Sequence, residues 1–289
     1  MRVVFPSSLD QALNRLIFSI NSGRAGSKYL STLLGTAKEV HSFHEPAPDM
    51  AGRYVKYLPV KRHTLKTLLV SLPVARKKLR KVETIKKKLE VMEPGEIYAE
   101  TNFQYILSFY DAIESHFHDQ YHVVLMRRHL PKVLKSWMEL GWFRAGHRPT
   151  RYWCYSAVAP SRAVPPVASM RELDSFDQCI AYLIDIEGRA QRFLKDFPNV
   201  PVTQVRLESL SSPELVRRLF NQLGITPTKE TFKKAGEVIW ARTKQKKKVG
   251  RPVTEDYCRQ RIHQYFERCQ RLGIEVPHLS QMDPFDPRE

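Results

Sequence analysis

Several things are scarce in this sequence, and each scarcity removes a class of protein. There are four cysteines in 289 residues, Cys154, Cys179, Cys258 and Cys269. None forms a Cys-x-x-Cys pair, and a chain this long folds without cross-links, so the count argues against a disulfide scaffold and against a cysteine zinc site. It fits a reducing compartment. Long apolar runs are missing too: none approaches the roughly 20 residues of a membrane span. The N-terminal MRVVFPSSLDQ has no apolar core of a signal peptide. A cytoplasmic chain without a transmembrane segment is therefore expected. Acidic residues are the scarce charge, with 30 Asp+Glu against 47 Lys+Arg and a formal net charge of +17. That excess implies an anionic partner: nucleotide, nucleic acid, sulfated glycan or acidic membrane. No zinc-finger, RRM or KH signature is present, so a specific nucleic acid is not expected.

What is present is an alternation of apolar runs and amphipathic stretches, with hydrophobic residues at 42%. Leu16–Ile20 reads as a strand, residues 21–26 as a tight turn, and Tyr29, Leu30, Leu33 and Leu34 as one face of a helix. Val40–Phe43 is a second strand that runs into His44, Glu45 and Pro46. Residues 61–92 form a basic helical insertion with Leu65, Leu68, Leu69 and Leu72 on its apolar side, stopped by Pro94-Gly95. Ile97–Glu100 is a strand and Phe103–Phe117 an amphipathic helix. Tyr121–Met126 is a buried strand, followed at once by Arg127, Arg128 and a helix with Pro131 in its first turn. Residues 144–174 read as a long functional loop or lid, Phe176–Phe197 as a helix, Val202–Leu207 as a strand. Pro213–Leu223 is a helix closed by Gly224, and Asp256–Leu272 is the last helix. This order predicts a single α/β domain over residues 1–289, a three-layer α/β/α sandwich with a mostly parallel central sheet. Ligands bind such sheets beyond the carboxyl ends of the strands. Arg24–Lys28, Glu45 and Arg127-Arg128 all fall at that edge.

The first turn, Asn21-Ser22-Gly23-Arg24-Ala25-Gly26-Ser27-Lys28, leads from a strand into a helix. Its backbone N–H groups and the helix dipole make an anion cradle. Ser27 adds a hydroxyl, and Arg24 and Lys28 add charge. It is not a Walker A loop, which needs G-x-x-x-x-G-K-[ST]. The strand at Tyr121–Met126 ends in arginines rather than the acid that helps hold Mg²⁺ in an NTPase.

These residues resemble the PAPS-dependent sulfotransferases, in a branch with a Glu-Pro motif (PAPS is 3′-phosphoadenosine-5′-phosphosulfate). Ile17–Leu30 is similar to the family's 5′-phosphosulfate loop, with Arg24-Ala25-Gly26-Ser27 on its four positions; Lys28 stands where a second Ser/Thr is common. Arg128 and Ser136, eight residues apart after the buried strand, resemble the 3′-phosphate motif, although the usual proline falls one position before Pro131. Phe43-His44-Glu45-Pro46 resembles the Glu-Pro element, and Val205–Leu210 with Pro213 and Leu219–Gly224 the late strand and helix. The resemblance covers about residues 15–225. It implies a P-loop NTPase-like sulfotransferase fold. The implied activity is transfer of a sulfuryl group from PAPS to a hydroxyl or amine, releasing 3′,5′-ADP, with no metal required.

On that basis Arg24, Ala25, Gly26, Ser27, Lys28 and Tyr29 bind the donor, with Arg128 and Ser136 at its 3′-phosphate. Lys248, Gly250 and Arg251 lie in a basic loop that echoes another phosphate clamp of the family without its usual order. Glu45 is the expected base, with His44 second; ion pairing for Glu45 and packing for His44 are the plainer alternatives. Arg24 would support the leaving oxygen. Trp142, Tyr152, Trp153 and Tyr155 are candidates for an acceptor pocket for a carbohydrate, lipid or small molecule, or are simply core. His116, His118 and His122 straddle a helix end and a strand start, so no metal site is expected of them. The basic 61–92 stretch is either a solvated face or an arm for a polyanionic acceptor. Oligomerisation is left open. Two other function classes stay in play: a P-loop small-molecule kinase, and a basic polyanion-binding module with no catalysis.

Overall fold

A computed structural model describes residues 15–50, 65–118, 120–144, 147, 150, 154, 157, 161–169, 171–236 and 252–277, with side chains of the second stretch from residue 73 on. Five strands build one sheet: β1 (Arg15–Ile20), β2 (Val40–His44), β3 (Ile97–Thr101), β4 (Tyr121–Arg127) and β5 (Val202–Arg206). Their order is β2-β3-β1-β4-β5, and every pairing is parallel. The expected parallel sheet is therefore what the chain forms, and all five carboxyl ends share one edge.

Alternation along the strands sorts the core into two layers. Leu16, Phe18 and Ile20 of β1, Tyr98 of β3, and Val123 and Leu125 of β4 enter one cluster. Ile17, Ala99, Val124 and Met126, their neighbours in sequence, enter the other. The second layer is covered by α1 (Ser27–Leu34), α6 (Pro213–Leu223) and α7 (Lys229–Gly236). The first is covered by α2 (Leu65–Leu89), α3 (Tyr110–Phe117), α4 (Leu130–Glu139), α5 (Ser175–Asp196) and α8 (Glu255–Arg271). This is the three-layer α/β/α arrangement.

Two elements differ from expectation. Phe103–Phe117 is not one amphipathic helix: Tyr105–Phe109 is a π-helical turn, and α3 begins only at Tyr110. All five residues of the turn are buried, and Tyr105 stacks on Phe18 with ring centroids 5.1 Å apart. A segment enclosed on every side has no polar face for a helical period to display. Helix α7 is not among the elements expected from the sequence, being short and polar. It is started by reciprocal bonds between Thr228 and Thr231, each amide donating to the other's hydroxyl, in the manner of a capping box. Helix α6 follows its signals closely: Ser212 caps it, Pro213 opens it and Gly224, at φ 62°, closes it.

Candidate functional site

The turn between β1 and α1 is fixed from behind. Asn21 is buried; its Nδ2 donates to Ser19 Oγ at 2.9 Å and its Oδ1 accepts from the Gly23 amide at 3.0 Å. The Tyr182 hydroxyl, on α5, donates to the Ser22 carbonyl at 2.9 Å. Arg128, just past β4, donates to the Arg24 carbonyl at 2.9 Å. The Ser22 and Arg24 carbonyls are thus both engaged, while the first amides of α1 have no partner within the helix. Gly26 is the N-cap at φ 99°, no side chain caps the helix, and no acid lies in its first turn. Uncapped N–H groups at a helix start are an anion site. Gly26 has to be glycine: an added Cβ would lie 2.6 Å from a Leu207 methyl and 2.9 Å from Met126 Cε.

Two motifs far apart in sequence meet here. Arg24 Nε donates to Ser136 Oγ on α4 at 2.9 Å, across 112 residues. The Ser136 proton stays available to a further acceptor. Arg24 itself takes a left-handed φ of 55°, a strained conformation that persists only where neighbours hold it. Burial pushes the Arg24 guanidinium below its ordinary value, opposed by the nearby Glu45 carboxylate. Burial likewise lowers Arg128 to about 10; Glu208 opposes this, Arg24 adds to it, and Glu255 opposes it. Two partly desolvated guanidiniums side by side repel one another, and an anion between them relieves the repulsion.

The adjacent arginine faces elsewhere. Arg127 Nε and Nη2 grip the Glu187 carboxylate at 3.0 and 2.5 Å, while Nη1 donates to Gln204 Oε1 at 2.6 Å. Only the second member of Arg127-Arg128 turns to the loop.

On the other side of the loop, β2 delivers His44 and Glu45. His44 Nδ1 lies 3.1 Å from the Thr101 carbonyl and 3.2 Å from its hydroxyl. A neutral ring donating there leaves Nε2 as the acceptor. His44 Nε2 and Glu45 Oε1 are 3.8 Å apart. Glu45 has a left-handed φ of 49° and its amide donates to the Thr101 carbonyl at 3.2 Å. The Glu45 carboxylate is close enough to Arg24 to oppose the lowering of its guanidinium.

The structure brings together Arg24, Gly26, Ser27, Arg128, Ser136, His44 and Glu45 at one edge. Ala25 and Ser27 are buried in the turn, and Lys28 is exposed at the start of α1. The Tyr29 side chain goes elsewhere: its hydroxyl donates to the Leu210 carbonyl at 2.9 Å, under α6 and α7. Lys248, Gly250 and Arg251 lie outside the described residues, as do Tyr152, Trp153 and Tyr155. Trp142 packs on Trp137 at 4.8 Å, and Trp137 lies directly beneath Gly23. In the 144–174 loop, expected to serve the acceptor, residues 161–169 are irregular backbone with bends, held to α5 by the Ala163 amide donating to Asp185 Oδ1 at 2.6 Å. Of the three histidines, His116 Nδ1 bonds the Ala112 carbonyl and His122 Nε2 bonds Thr203 Oγ1; no group of three metal-ligating side chains converges among the described residues. Sequence reasoning missed Tyr182 and Glu208. Tyr182 looks like any apolar residue of a helix, and Glu208, which accepts from the His129 amide at 3.3 Å, is one acid among thirty.

A cavity of about 790 Å³ lies instead along the outer edge of β5, between Lys195, Arg206 and Arg218. None of the loop residues lines it. Convergent polar groups, not volume, mark the site at the loop.

No protein-family model matches this chain, and no curated protein matches it. Among solved structures it is similar to the sulfotransferase domain from the curacin biosynthetic pathway, at 13% identity and a TM-score of 0.50, over 92% of this chain and 99% of that one. It is also similar to a sulfotransferase from Alicyclobacillus acidocaldarius, at 14% identity and a TM-score of 0.46, over 89% of this chain and 94% of that one. At such identities the likeness is one of fold. With its five parallel strands and a strand-turn-helix anion loop at their carboxyl edge, the chain has the sulfotransferase fold.

Proposed function

We propose that this protein is a sulfotransferase that moves a sulfuryl group from PAPS to a hydroxyl or amine of its acceptor and releases 3′,5′-ADP. One observation carries the reading: Arg24 bonds Ser136 while Arg128 bonds the Arg24 backbone. The candidate 5′-phosphosulfate loop and the candidate 3′-phosphate pair thus form one cationic unit, as a donor phosphorylated at both ends requires.

In this reading Arg128 and the Ser136 hydroxyl take the 3′-phosphate through charge-assisted bonds. The Gly26 and Ser27 amides, Lys28 and Arg24 support the leaving phosphate oxygen as the S–O bond breaks and charge gathers on it. Glu45 takes the proton of the acceptor as its oxygen or nitrogen bonds to sulfur. His44, tied to Thr101 through Nδ1, orients beside it. One domain carries both donor and acceptor halves.

Calorimetry with 3′,5′-ADP, 5′-AMP and ATP·Mg tests the donor. 3′,5′-ADP should bind at least tenfold more tightly than 5′-AMP, and ATP·Mg should not compete. Equal affinities for the first two would remove the assignment. Glu45→Gln tests the base: turnover should fall by roughly 10²–10⁴ with 3′,5′-ADP affinity unchanged. A stable, fully active variant would move the role to His44.

A further inference from the structure

Helix α2 carries a dense basic run, and most of it meets solvent or surface partners. Two of its lysines are buried: Lys78, which pairs with Asp111 near the surface, and Lys81, which goes deeper. The Lys81 side chain is 1% exposed and its Nζ lies 2.7 Å from Oε1 of Glu100, which is 0% exposed. The same amine donates to the Pro46 carbonyl at 3.0 Å. Glu100, on β3, is fully engaged: Tyr98 donates its hydroxyl to Oε2 at 2.7 Å and Asn102 its Nδ2 to Oε1 at 2.9 Å. Asn102 in turn accepts from the Gln104 amide at 3.0 Å. A buried ion pair is often no more stabilising than an apolar pair of the same volume. Its value then lies in what it holds in place.

What it holds is the residue after Glu45. The left-handed φ of Glu45 is uncommon for a side chain of that size, so the turn needs anchors on both sides. One is the Glu45 amide on the Thr101 carbonyl at 3.2 Å. The other is Lys81 on the Pro46 carbonyl. We propose that Lys81, with Glu100 as its fixed counter-ion, is a positioning residue that holds the Glu45-Pro46 turn and so aims the Glu45 carboxylate toward the donor loop. The insertion between β2 and β3 then serves the site from inside, apart from anything its exposed lysines bind. The catalytic consequence rests on the reading of Glu45 as the base; the conformational one does not.

The test uses Lys81→Met/Glu100→Gln in the full chain, which removes both buried charges together. Amide hydrogen exchange is read at Glu45 and, as a control, at Leu30, whose amide bonds the Gly26 carbonyl. Exchange at Glu45 should rise about tenfold or more and that at Leu30 should not change. Affinity for 3′,5′-ADP should stay at the wild-type value while kcat falls roughly 10–100-fold. Wild-type protection at Glu45 in the folded variant would overturn the proposal. So would a parallel loss of 3′,5′-ADP affinity, which marks a general structural role. Should the wild-type protein transfer no sulfuryl group to any acceptor in a panel, the functional reading fails and the exchange ratio alone decides the positioning claim. Lys81→Gln/Glu100→Gln, whose amides can bond each other without reaching Pro46, replaces the first variant if that one does not fold.

Discussion

Replacing Gly26 by Ala puts the loop between β1 and α1 under a load that the structure lets one work out. Gly26 sits at φ 99°, and a methyl there would come within 2.6 Å of a Leu207 methyl and 2.9 Å of Met126 Cε. The backbone strain of a left-handed L-residue costs about 1–2 kcal/mol. Forcing a methyl into a filled space adds about 1–3 kcal/mol, the lower end applying if the ends of Leu207 and Met126 swing aside. Gly273→Ala is the matched control: φ is 63° and, its chain neighbours aside, no atom of the described residues lies within 4 Å of the added carbon, so only the strain remains. At about 2 °C per kcal/mol for a chain of this size, Gly26→Ala should lower Tm by about 4–10 °C and Gly273→Ala by about 2–4 °C. The two should diverge further in binding. Gly26 is the N-cap of α1, so a shift of the turn misdirects the amides proposed to hold the phosphosulfate, and 3′,5′-ADP affinity should fall at least tenfold. Gly273 follows α8 and its replacement should leave affinity alone. Scanning calorimetry and isothermal titration on the same preparations read both effects. Equal Tm losses, or wild-type affinity in Gly26→Ala, would refute the argument that this loop is built on close backbone packing.

The neighbouring arginines should part company in the same assays. Arg128→Ala removes a charge-assisted contact, so 3′,5′-ADP affinity should fall by about 1.5–3 kcal/mol, and the salt dependence of binding should flatten. Arg127→Ala should leave affinity intact and cost about 3 kcal/mol of stability, because it strands the mostly buried Glu187. A third prediction concerns pH. Burial, then the Arg15 charge, push His122 down to about 4, from an unfolded value near 6.5. Between those values the unfolded chain binds a proton that the folded chain does not, so stability is whole above about pH 6.5 and falls with pH toward 4, by up to about 3 kcal/mol. His122→Asn, which cannot titrate, should flatten that part of a urea-midpoint-versus-pH curve; an unchanged slope would mean other groups set it.

Much of the fold was legible because it rests on signals a single chain carries locally. The apolar runs Leu16–Ile20 and Tyr121–Met126 announce strands buried on both faces, and Pro213 and Gly224 bracket a helix by their backbone restrictions alone. The missed elements are those whose cause is not local. The π turn at Tyr105–Phe109 answers to enclosure by β1 and α5, which its own residues do not record. Helix α7 depends on Thr231 meeting Thr36, 2.6 Å away and 195 residues back.

The same division runs through the site. Arg24, Gly26, Glu45 and Arg128 could be placed together because each follows the carboxyl end of a strand in one parallel sheet, and parallel topology alone brings such residues to one edge. Topology does not say which way a side chain turns. Arg127 and Arg128 are equivalent in sequence, yet Glu187 on α5 captures the first and the Arg24 carbonyl the second. Tyr29 follows the loop by one helical turn, yet its hydroxyl bonds beneath α6. Tyr182 and Lys81 contribute through bonds to backbone carbonyls, Ser22 and Pro46, and a carbonyl has no identity in a sequence. Residues that hold a site by gripping its backbone are therefore invisible until the backbone is drawn, and in this chain they separate a loop of the right composition from a loop of fixed shape.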